Sequence, residues 1–430
     1  MSKIPNPQEL LSQQTRTSII EPAFHQIQTP AYVFDLKLLE DNLNYLKLLA
    51  ESLQIKIIFA QKSYSFYSTY PLISSYLRGS TSSGLHEALL AKEEFSGEIH
   101  VYSAAYKKDE IEELLEFVDF IYFNSFEQWQ KYKSLISAVE NNGRKIEVGL
   151  RINPGYSETE HDIYNPAGKF SRLGITAEAF HQGVNSYGLD GISGLHFHAL
   201  CQENSASLAK VLNSFEEKFG SYLKQMQWFN FGGGHHLTRA DYNVGQLTDL
   251  IQDFRNRYPT QTIYLEPGEA ISLDSGFLVS EVLDIVENEI EIAILDTSAT
   301  CHMPDVIEMP YTPRVFLLDE AYVQGDYYLE AEIISNEQLL DKNKNIYRLG
   351  GPTCLAGDII GNYSFPRKLR RGDRLVFCDM ALYAHVKTNT FNGMPLPDLV
   401  VLAKDGNHKL KRKSSYFDFK NRLGPYDVIT

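Results

Sequence analysis

Ile55-Lys-Ile-Ile-Phe-Ala-Gln-Lys62 is a short β-branched run that ends on a lysine. A run apolar at nearly every position is the pattern of a strand buried on both faces, as in parallel sheets covered by helices. A cation at the mouth of such a strand has no obvious packing role. On this stretch alone, the stronger reading is a lysine whose stem lies along the strand while its ammonium reaches water. The other reading rests on where α/β folds place their chemistry, at C-terminal strand ends, and on the ability of a desolvated lysine to form a Schiff base with a carbonyl. Residues elsewhere in the chain decide between the two.

Upstream, Leu36, Leu39, Leu43, Leu46, Leu49 and Leu53 follow helical spacing and lead into this strand. Downstream, strand-like runs at 79–83, 99–103, 120–123, 146–153, 192–199, 228–231 and 262–266 are each separated by a helix-capable segment. Eight strands with intervening helices over about 240 residues match a (β/α)8 barrel. A doubly wound sheet is the competitor, but no Gly-x-Gly-x-x-Gly follows the first strand. After Gly268 the texture changes. Segments 277–286, 289–295, 327–334, 346–349, 374–378 and 398–403 read as strands joined by turns such as Arg371-Gly-Asp373 and Lys404-Asp-Gly406. The expected division is therefore an α/β barrel over 29–270 and an all-β domain, a sandwich or small barrel, over 271–430, with 1–28 joining the latter. The basic, aromatic tail from Lys409 has no assignment.

At 430 residues the chain exceeds what a single core usually supports. Its net charge of −15 argues against a nucleic-acid or anionic-membrane partner and mildly favours a cationic small molecule. Residues 1–20 lack the basic-then-apolar pattern of a secretory signal, and no later run approaches the roughly 18 apolar residues of a membrane span. Four cysteines, Cys201, Cys301, Cys354 and Cys378, show no CxxC spacing and point to a reducing cytoplasm.

Several other strand ends carry polar or glycine-rich residues. In Gly194-Leu-His-Phe-His198, alternation puts His196 and His198 on one face. A buried, satisfied pair and a metal pair are both compatible with that; Cys201, His235 and His236 follow, but without a tight zinc-ligand spacing, so no metal is expected. Phe231-Gly-Gly-Gly-His-His236 puts three glycines after the seventh strand, where barrels favour phosphate sites, although such a run is by itself more often a tight turn. Glu266-Pro-Gly-Glu269 closes the eighth strand, and a carboxylate there could hold a proton on a pyridine nitrogen; its plain alternative is a salt bridge at a turn. A lysine, a histidine, a glycine run and a glutamate at the ends of strands 1, 6, 7 and 8 are hard to obtain from packing alone. In the all-β part, Gly350-Gly-Pro-Thr-Cys354, Ala381-Leu-Tyr383 and Thr390-Phe-Asn-Gly393 stand out. Cys354 has chemical meaning only where its loop reaches an active site; otherwise it is a small apolar residue.

Taken together, these motifs resemble the fold-type III pyridoxal-phosphate decarboxylases, from about Thr29 to Val401. Gly194-Leu-His-Phe-His-Ala-Leu-Cys201, Glu266-Pro-Gly-Glu-Ala270, Thr300-Cys-His-Met-Pro-Asp-Val306 with Glu308-Met-Pro-Tyr311, and Gly350-Gly-Pro-Thr-Cys-Leu-Ala-Gly-Asp358 are similar to the branch acting on carboxylated triamines, carboxynorspermidine and carboxyspermidine. The resemblance implies pyridoxal 5'-phosphate as cofactor and Lys62 as its anchoring lysine. It implies His198 as the imidazole stacked on the ring, Glu266 as the partner of the ring nitrogen, and Arg151 as the barrel arginine near the cofactor. Gly232, Gly233 and Gly234 would form the phosphate loop, with Tyr383 also reaching the phosphate. Cys354 would return a proton to the product carbon across a dimer interface, so a homodimer with shared active sites is implied.

Substrate ammonium groups call for acids, and Glu269, His302, Asp305, Glu308 and Asp358 are the residues expected to contact the substrate, Glu269 and Asp305 foremost. Ornithine-type enzymes have arginine where this chain has Glu269, so one phosphate contact is missing or supplied elsewhere. A diaminopimelate or ornithine decarboxylase would retain that arginine. A non-catalytic cofactor-binding regulator would have lost Lys62 or Cys354, and both are present.

Overall fold

The computed structural model describes residues 22–159, 162–309, 311–323, 326–341 and 343–424. The chain forms two compact units. Among the described residues, the first is built from Glu40–Lys62 and Phe66–Ile271, the second from residues 22–39, Ser63–Ser65 and 272–424. Expectations for residues 1–21, including most of the joining segment, fall outside the described residues. Among the described residues no helix is long and apolar enough to cross a membrane.

The first strand, β1 (Ala31–Asp35), does not belong to the barrel as its position in sequence suggested. It pairs antiparallel with β10 (Gly276–Asn288) and parallel with β18 (Asp398–Leu402). Every residue of β1 is buried, so it needed a sheet on both edges, and the second unit supplies it.

The first unit is a closed parallel barrel of β2 (Lys56–Ala60), β3 (Gly79–Ser82), β4 (Glu98–Tyr102), β5 (Phe120–Phe123), β6 (Glu147–Arg151), β7 (Gly194–His196), β8 (Trp228–Asn230) and β9 (Thr262–Leu265). Closure is made by β9 against β2, with Lys56 opposite Tyr264 and Ile57 opposite Leu265. Helices between strands bury one stripe each. In Phe126–Asn141 the buried residues Phe126, Trp129, Tyr132 and Ile136 recur at helical spacing, and Ser125 caps the start by accepting from Gln128 N–H. Two strands end earlier than the apolar pattern suggested. β7 stops at His196 and leaves His198 in the loop beyond, and β2 stops at Ala60, which puts Lys62 in the single 3-10 turn Gln61–Ser63.

Inside the barrel the alternation of strand residues stacks Phe120, Tyr122, Trp228 and Tyr264 with Ile58 into one cluster. The Trp228 indole fits because β6 and β7 have glycine where they pass it: a Cβ on Gly194 would lie 2.1 Å from Trp228 Cδ2, and one on Gly149 2.4 Å from Cη2. The indole N–H donates to Ser193 Oγ at 3.1 Å, so its polar atom is satisfied.

The second unit is a mixed sheet of eleven strands. Besides β1, β10 and β18 it contains β11 (Ile290–Leu295), β12 (Val315–Val323), β13 (Asp326–Glu330), β14 (Glu332–Ile333), β15 (Asn345–Gly350), β16 (Ile359–Phe365), β17 (Arg374–Cys378) and β19 (His408–Arg412). β10 carries two arms: its first half pairs with β1 and β17, and its second half, beyond a register shift at Val282/Asp284, pairs with β11. Phe24, Ile27, Val33, Phe277, Phe316, Val376 and Val400 share the core of the first arm. Arg374 pins the preceding N-terminal turn by donating to the carbonyls of Phe24, His25 and Ile27. β12, β16 and β19 were not expected from sequence. β19, the start of the unassigned tail, is wholly exposed, so its Lys-rich edge has no apolar period to read.

Gly194→Ala should overpack the barrel core against Trp228 and lower stability by about 1–3 kcal/mol. A urea unfolding series comparing midpoints with the parent checks this; an unchanged midpoint would show that the indole can shift at no cost.

Candidate active site

The C-terminal ends of the barrel strands gather Lys62 after β2, Arg151 at the end of β6, His196 and His198 at β7, Asn230 and the glycine run at β8, and Glu266 with Glu269 at β9. Lys62 is exposed by surface area, although the protein atoms around it are dense enough to desolvate its amine. Burial, and then the Arg151 charge, push its amine below the ordinary lysine pKa, with Glu266, Glu269 and Cys201 opposing them. The result is an amine with a larger neutral, nucleophilic fraction than a surface lysine has.

Glu266 is buried, with Oε1 accepting from Asn230 Nδ2 at 2.7 Å and Oε2 lying 3.6 Å from His196 Nε2. Burial acts to raise its pKa, but His196, the Asn230 hydrogen bond and His100 outweigh it and hold the carboxyl at about 2. Burial lowers the His196 pKa, opposed by Glu266 and reinforced by Arg151 and Lys62, and neither of its ring nitrogens has a hydrogen-bond partner within 3.5 Å among the described residues. Burial and then Lys62 and Arg151 drive the pKa of His198 well down. Its Nδ1 accepts from Gly233 N–H at 3.0 Å, which places the ring proton on Nε2. Arg151 lies over the Tyr102 ring at 4.4 Å from its centroid.

The glycine run is required by close approach: a Cβ on Gly233 would sit 2.5 Å from Glu266 O and 3.0 Å from His198 Cε1, and one on Gly234, at φ +83°, 2.1 Å from Leu200 O. Its amides differ from the expected open cradle. Gly232 N–H donates to Asn230 Oδ1 at 2.9 Å and Gly233 N–H to His198, so two of the three are engaged within the protein.

Glu269 opens the short helix Glu269–Ser272 and has both oxygens bound, Oε2 by His236 Nε2 at 3.1 Å and Oε1 by Gln202 Nε2 at 2.9 Å. Burial would raise its pKa, but those two donors and the Lys62 charge outweigh it, so it too is ionised. Gln202 holds its amide there from a left-handed backbone, φ +56°.

The remaining sequence-derived residues lie in the second unit. His302 is fully buried, with Nδ1 accepting from Ser298 N–H at 3.2 Å and Nε2–H donating to Pro395 O at 3.0 Å. With both nitrogens engaged and no exposed surface, it organises its loop and does not match the expected substrate contact. Asp358 is similarly withdrawn: it accepts from Ser298 Oγ, from Thr300 N–H and from Thr353 Oγ1, and so closes the base of loop 351–357. Asp305 and Glu308 share Lys387, a cation the sequence reading did not single out. Cys354 is exposed on that loop, where its N–H donates to Asn392 Oδ1 at 2.9 Å. Tyr383 occupies a left-handed position, φ +53°, with its N–H donating to Ser63 O at 2.8 Å.

Residues 31–381 match the family described as "Pyridoxal-dependent decarboxylase, C-terminal sheet domain". The chain is a pyridoxal-dependent decarboxylase. It is 43% identical to a carboxynorspermidine/carboxyspermidine decarboxylase of Campylobacter jejuni, covering 93% of this chain and 99% of that protein. A carboxyaminopropylagmatine decarboxylase of Synechocystis is 38% identical, over 94% of this chain and 97% of the relative. A crystal structure of the Campylobacter jejuni carboxynorspermidine decarboxylase complexed with norspermidine superposes with TM-score 0.81 at 42% identity, covering 92% of this chain and 100% of that one.

The barrel residues of this decarboxylase fit pyridoxal phosphate on their own chemistry. A buried, ionised carboxylate with one oxygen fixed by Asn230, a buried imidazole with unpartnered nitrogens and a lysine of lowered pKa lie at one strand-end rim. The same His196, His198 and Glu266 offer ligand atoms within 4.8 Å of one another. A divalent cation there would sit beside the charges of Lys62 and Arg151, which the organic ring tolerates and a metal ion does not. Asn230 and Gln202 were missed as contributors, and His236 was weighed only as a metal ligand. For Asn230 the signal was present, a polar residue on the inward face of a strand that otherwise reads Trp-Phe.

Because folding lowers the Glu266 pKa, the stability it contributes is present above about 4.5, the value of a free carboxyl, and lost as pH falls toward about 2. Glu266→Gln should therefore be less stable than the parent at neutral pH, with the difference shrinking through that window, as read from denaturant midpoints of the cofactor-free proteins between pH 2 and 7. A difference that stays constant across the window would show that the carboxylate is not preferentially ionised in the fold.

Proposed function

We propose that this decarboxylase acts on carboxynorspermidine and carboxyspermidine, releasing carbon dioxide and leaving norspermidine or spermidine, as a step of polyamine biosynthesis. The observation that carries the reading is a half-buried, ionised Glu269 that feels the Lys62 charge, where ornithine-type relatives have arginine. Near-full-length identity to a relative of that name supports it. Bound at the barrel mouth, pyridoxal phosphate supplies an electron-withdrawing ring that makes loss of carbon dioxide from the substrate's α-carbon feasible.

The chain's own groups then have distinct tasks. Lys62 Nζ anchors the cofactor as the neutral amine that burial favours. Glu266 would keep a proton on the ring nitrogen through its ionised oxygen, and His198, oriented by Gly233 N–H, would lie against the ring. We assign the phosphate to the amides from Gly234 onward, with Arg151 near the cofactor. Glu269, held by His236 and Gln202, receives an ammonium or secondary-amine charge of the substrate. Loss of carbon dioxide leaves the carbon one proton short, and the exposed thiol of Cys354 is the donor that returns it. We place Cys354 in the barrel of a second copy, which makes the enzyme a homodimer, and we assign it to the cytoplasm.

The Synechocystis relative favours a second substrate of the same class, one ending in a guanidinium. A carboxylate such as Glu269 can accept two parallel N–H bonds from such a group. Carbon dioxide release from carboxynorspermidine, carboxyspermidine, carboxyaminopropylagmatine, ornithine and diaminopimelate ranks the candidates. Faster turnover of ornithine or diaminopimelate than of every carboxylated polyamine would overturn the proposal. Lys62→Ala should abolish the visible absorbance of bound cofactor together with activity. Glu269→Gln should raise KM for the triamines by roughly 10-fold, the loss of one charge-assisted contact, with a much smaller effect on kcat.

A further inference from the structure

A line of polar groups crosses the barrel interior beneath Glu266, in a place that such barrels ordinarily fill with branched apolar side chains. It runs from Glu98 and His100 on β4 through Tyr122 on β5 to Asn230 on β8. Glu98 Oε2 lies 3.4 Å from His100 Nε2, His100 Nδ1 2.6 Å from Tyr122 Oη, and Asn230 Nδ2 3.1 Å from Tyr122 Oη and 2.7 Å from Glu266 Oε1. His100, Tyr122, Asn230 and Glu266 are all buried.

The direction of every bond is forced. Gly232 N–H can only donate, so the atom of Asn230 it meets at 2.9 Å is the carbonyl oxygen, and the amide nitrogen faces Tyr122 and Glu266. One amide hydrogen goes to Glu266 and the other to the Tyr122 oxygen. The phenol hydrogen is then directed at His100 Nδ1, which leaves the imidazole proton on Nε2, facing Glu98. At the far end Glu98 is fixed as an acceptor by Lys56 Nζ at 2.9 Å and Arg78 Nε at 3.0 Å. The imidazole itself is clamped flat on Phe120, with ring centroids 3.9 Å apart and planes 4° from parallel. A buried polar line of this kind is costly unless every member is satisfied, and here each member's role follows from its neighbours.

We infer that Tyr122 and His100 are positioning residues for the decarboxylation, acting through Asn230 to fix the Glu266 carboxylate toward the ring nitrogen of the cofactor. The inference rests on the reading of Glu266 as the partner of that nitrogen. Without the Tyr122 oxygen, Asn230 retains Gly232 and Glu266 as partners, but its second amide hydrogen is left unsatisfied in a buried place, so the donor to Glu266 Oε1 is held less firmly. Neither Tyr122 nor His100 needs to touch the cofactor for this to weaken the ring-nitrogen interaction.

Equilibrium binding to the cofactor-free protein tests this, using pyridoxal phosphate and its carbocyclic analogue in which C–H replaces the ring nitrogen. The ratio of the two Kd values reports the ring-nitrogen contact alone. In the parent it should be on the order of 10- to 100-fold, the size of one charge-assisted hydrogen bond. Tyr122→Phe, which keeps the ring and its packing, should reduce the ratio by roughly 3- to 10-fold while leaving analogue binding unchanged, and should lower kcat with KM within about twofold. Glu266→Gln should reduce the ratio more than Tyr122→Phe does. A parent-like ratio in Tyr122→Phe alongside a collapsed ratio in Glu266→Gln would overturn the positioning role while leaving Glu266 in place. A parent-like ratio in both would overturn the reading of Glu266 and the inference with it. Should Tyr122→Phe not fold, His100→Gln interrogates the same line: a reduced ratio supports the inference and an unchanged one overturns it.

Discussion

The hydrogen bond from Asn230 to Glu266 is the contact on which the barrel mouth is built. A carboxylate this deeply buried is tolerated only when paired and hydrogen-bonded. Asn230 supplies the bond, and its other polar atoms are committed to Gly232 and Tyr122. The glycine run is thereby tied to the same side chain that fixes the acid, since Gly232 N–H meets Asn230 and Gly233 N–H meets His198. Without side chains at these positions the ends of β7, β8 and β9 can approach closely enough for one amide to serve them all. Fold and chemistry meet in that spacing: the strand ends must be close for the barrel to close, and the site uses the closeness.

Much of this architecture was legible because parallel barrel strands announce themselves as β-branched runs bounded by helices. The eight barrel strands and Lys62 at the first of them could be read so, as could the clustering of His198, the glycines and Glu266 at the later ends. β1 could not, because a fully buried five-residue strand reads the same whether it joins a barrel or a mixed sheet, and its partners lie more than 240 residues away in sequence. β19 is a polar edge, and polar edges have no hydrophobic period. The polar line through the barrel escaped for a related reason: in strands of three to five residues, His100, Tyr122 and Asn230 each look like one exception within an apolar run, and only register brings them together.

The second unit shows the limit of motif-based reading of function. His302 and Asp358 sit in segments that mark the triamine branch, yet their polar atoms are used inside the fold, His302 between Ser298 and Pro395, Asp358 across the base of the Cys354 loop. Their value is indirect. A loop that presents an exposed thiol must keep it at a fixed place, and Asp358 from one side and Asn392 from the other restrain the backbone at Thr353 and Cys354. Residues that build a loop are found in a motif as readily as residues that use it.

On the proposed reading, charge balance at the barrel mouth is the reason an acid in place of an arginine suits an amine-bearing substrate. Lys62 and Arg151 act electrostatically on Glu266, and Lys62 on Glu269, two cations and two anions at one strand-end rim. Burial and Arg151 weaken the lysine's hold on its proton, and once Lys62 is neutral the balance tips negative by one charge. Glu266 is committed to Asn230 and, on the proposed reading, to the ring nitrogen, so the surplus resides on Glu269, which His236 and Gln202 hold in place through single hydrogen bonds. An arginine at that position would reverse the sign and repel a cationic chain. With Glu269 there, the proposed site offers an amine-bearing substrate a negative charge held by His236 and Gln202.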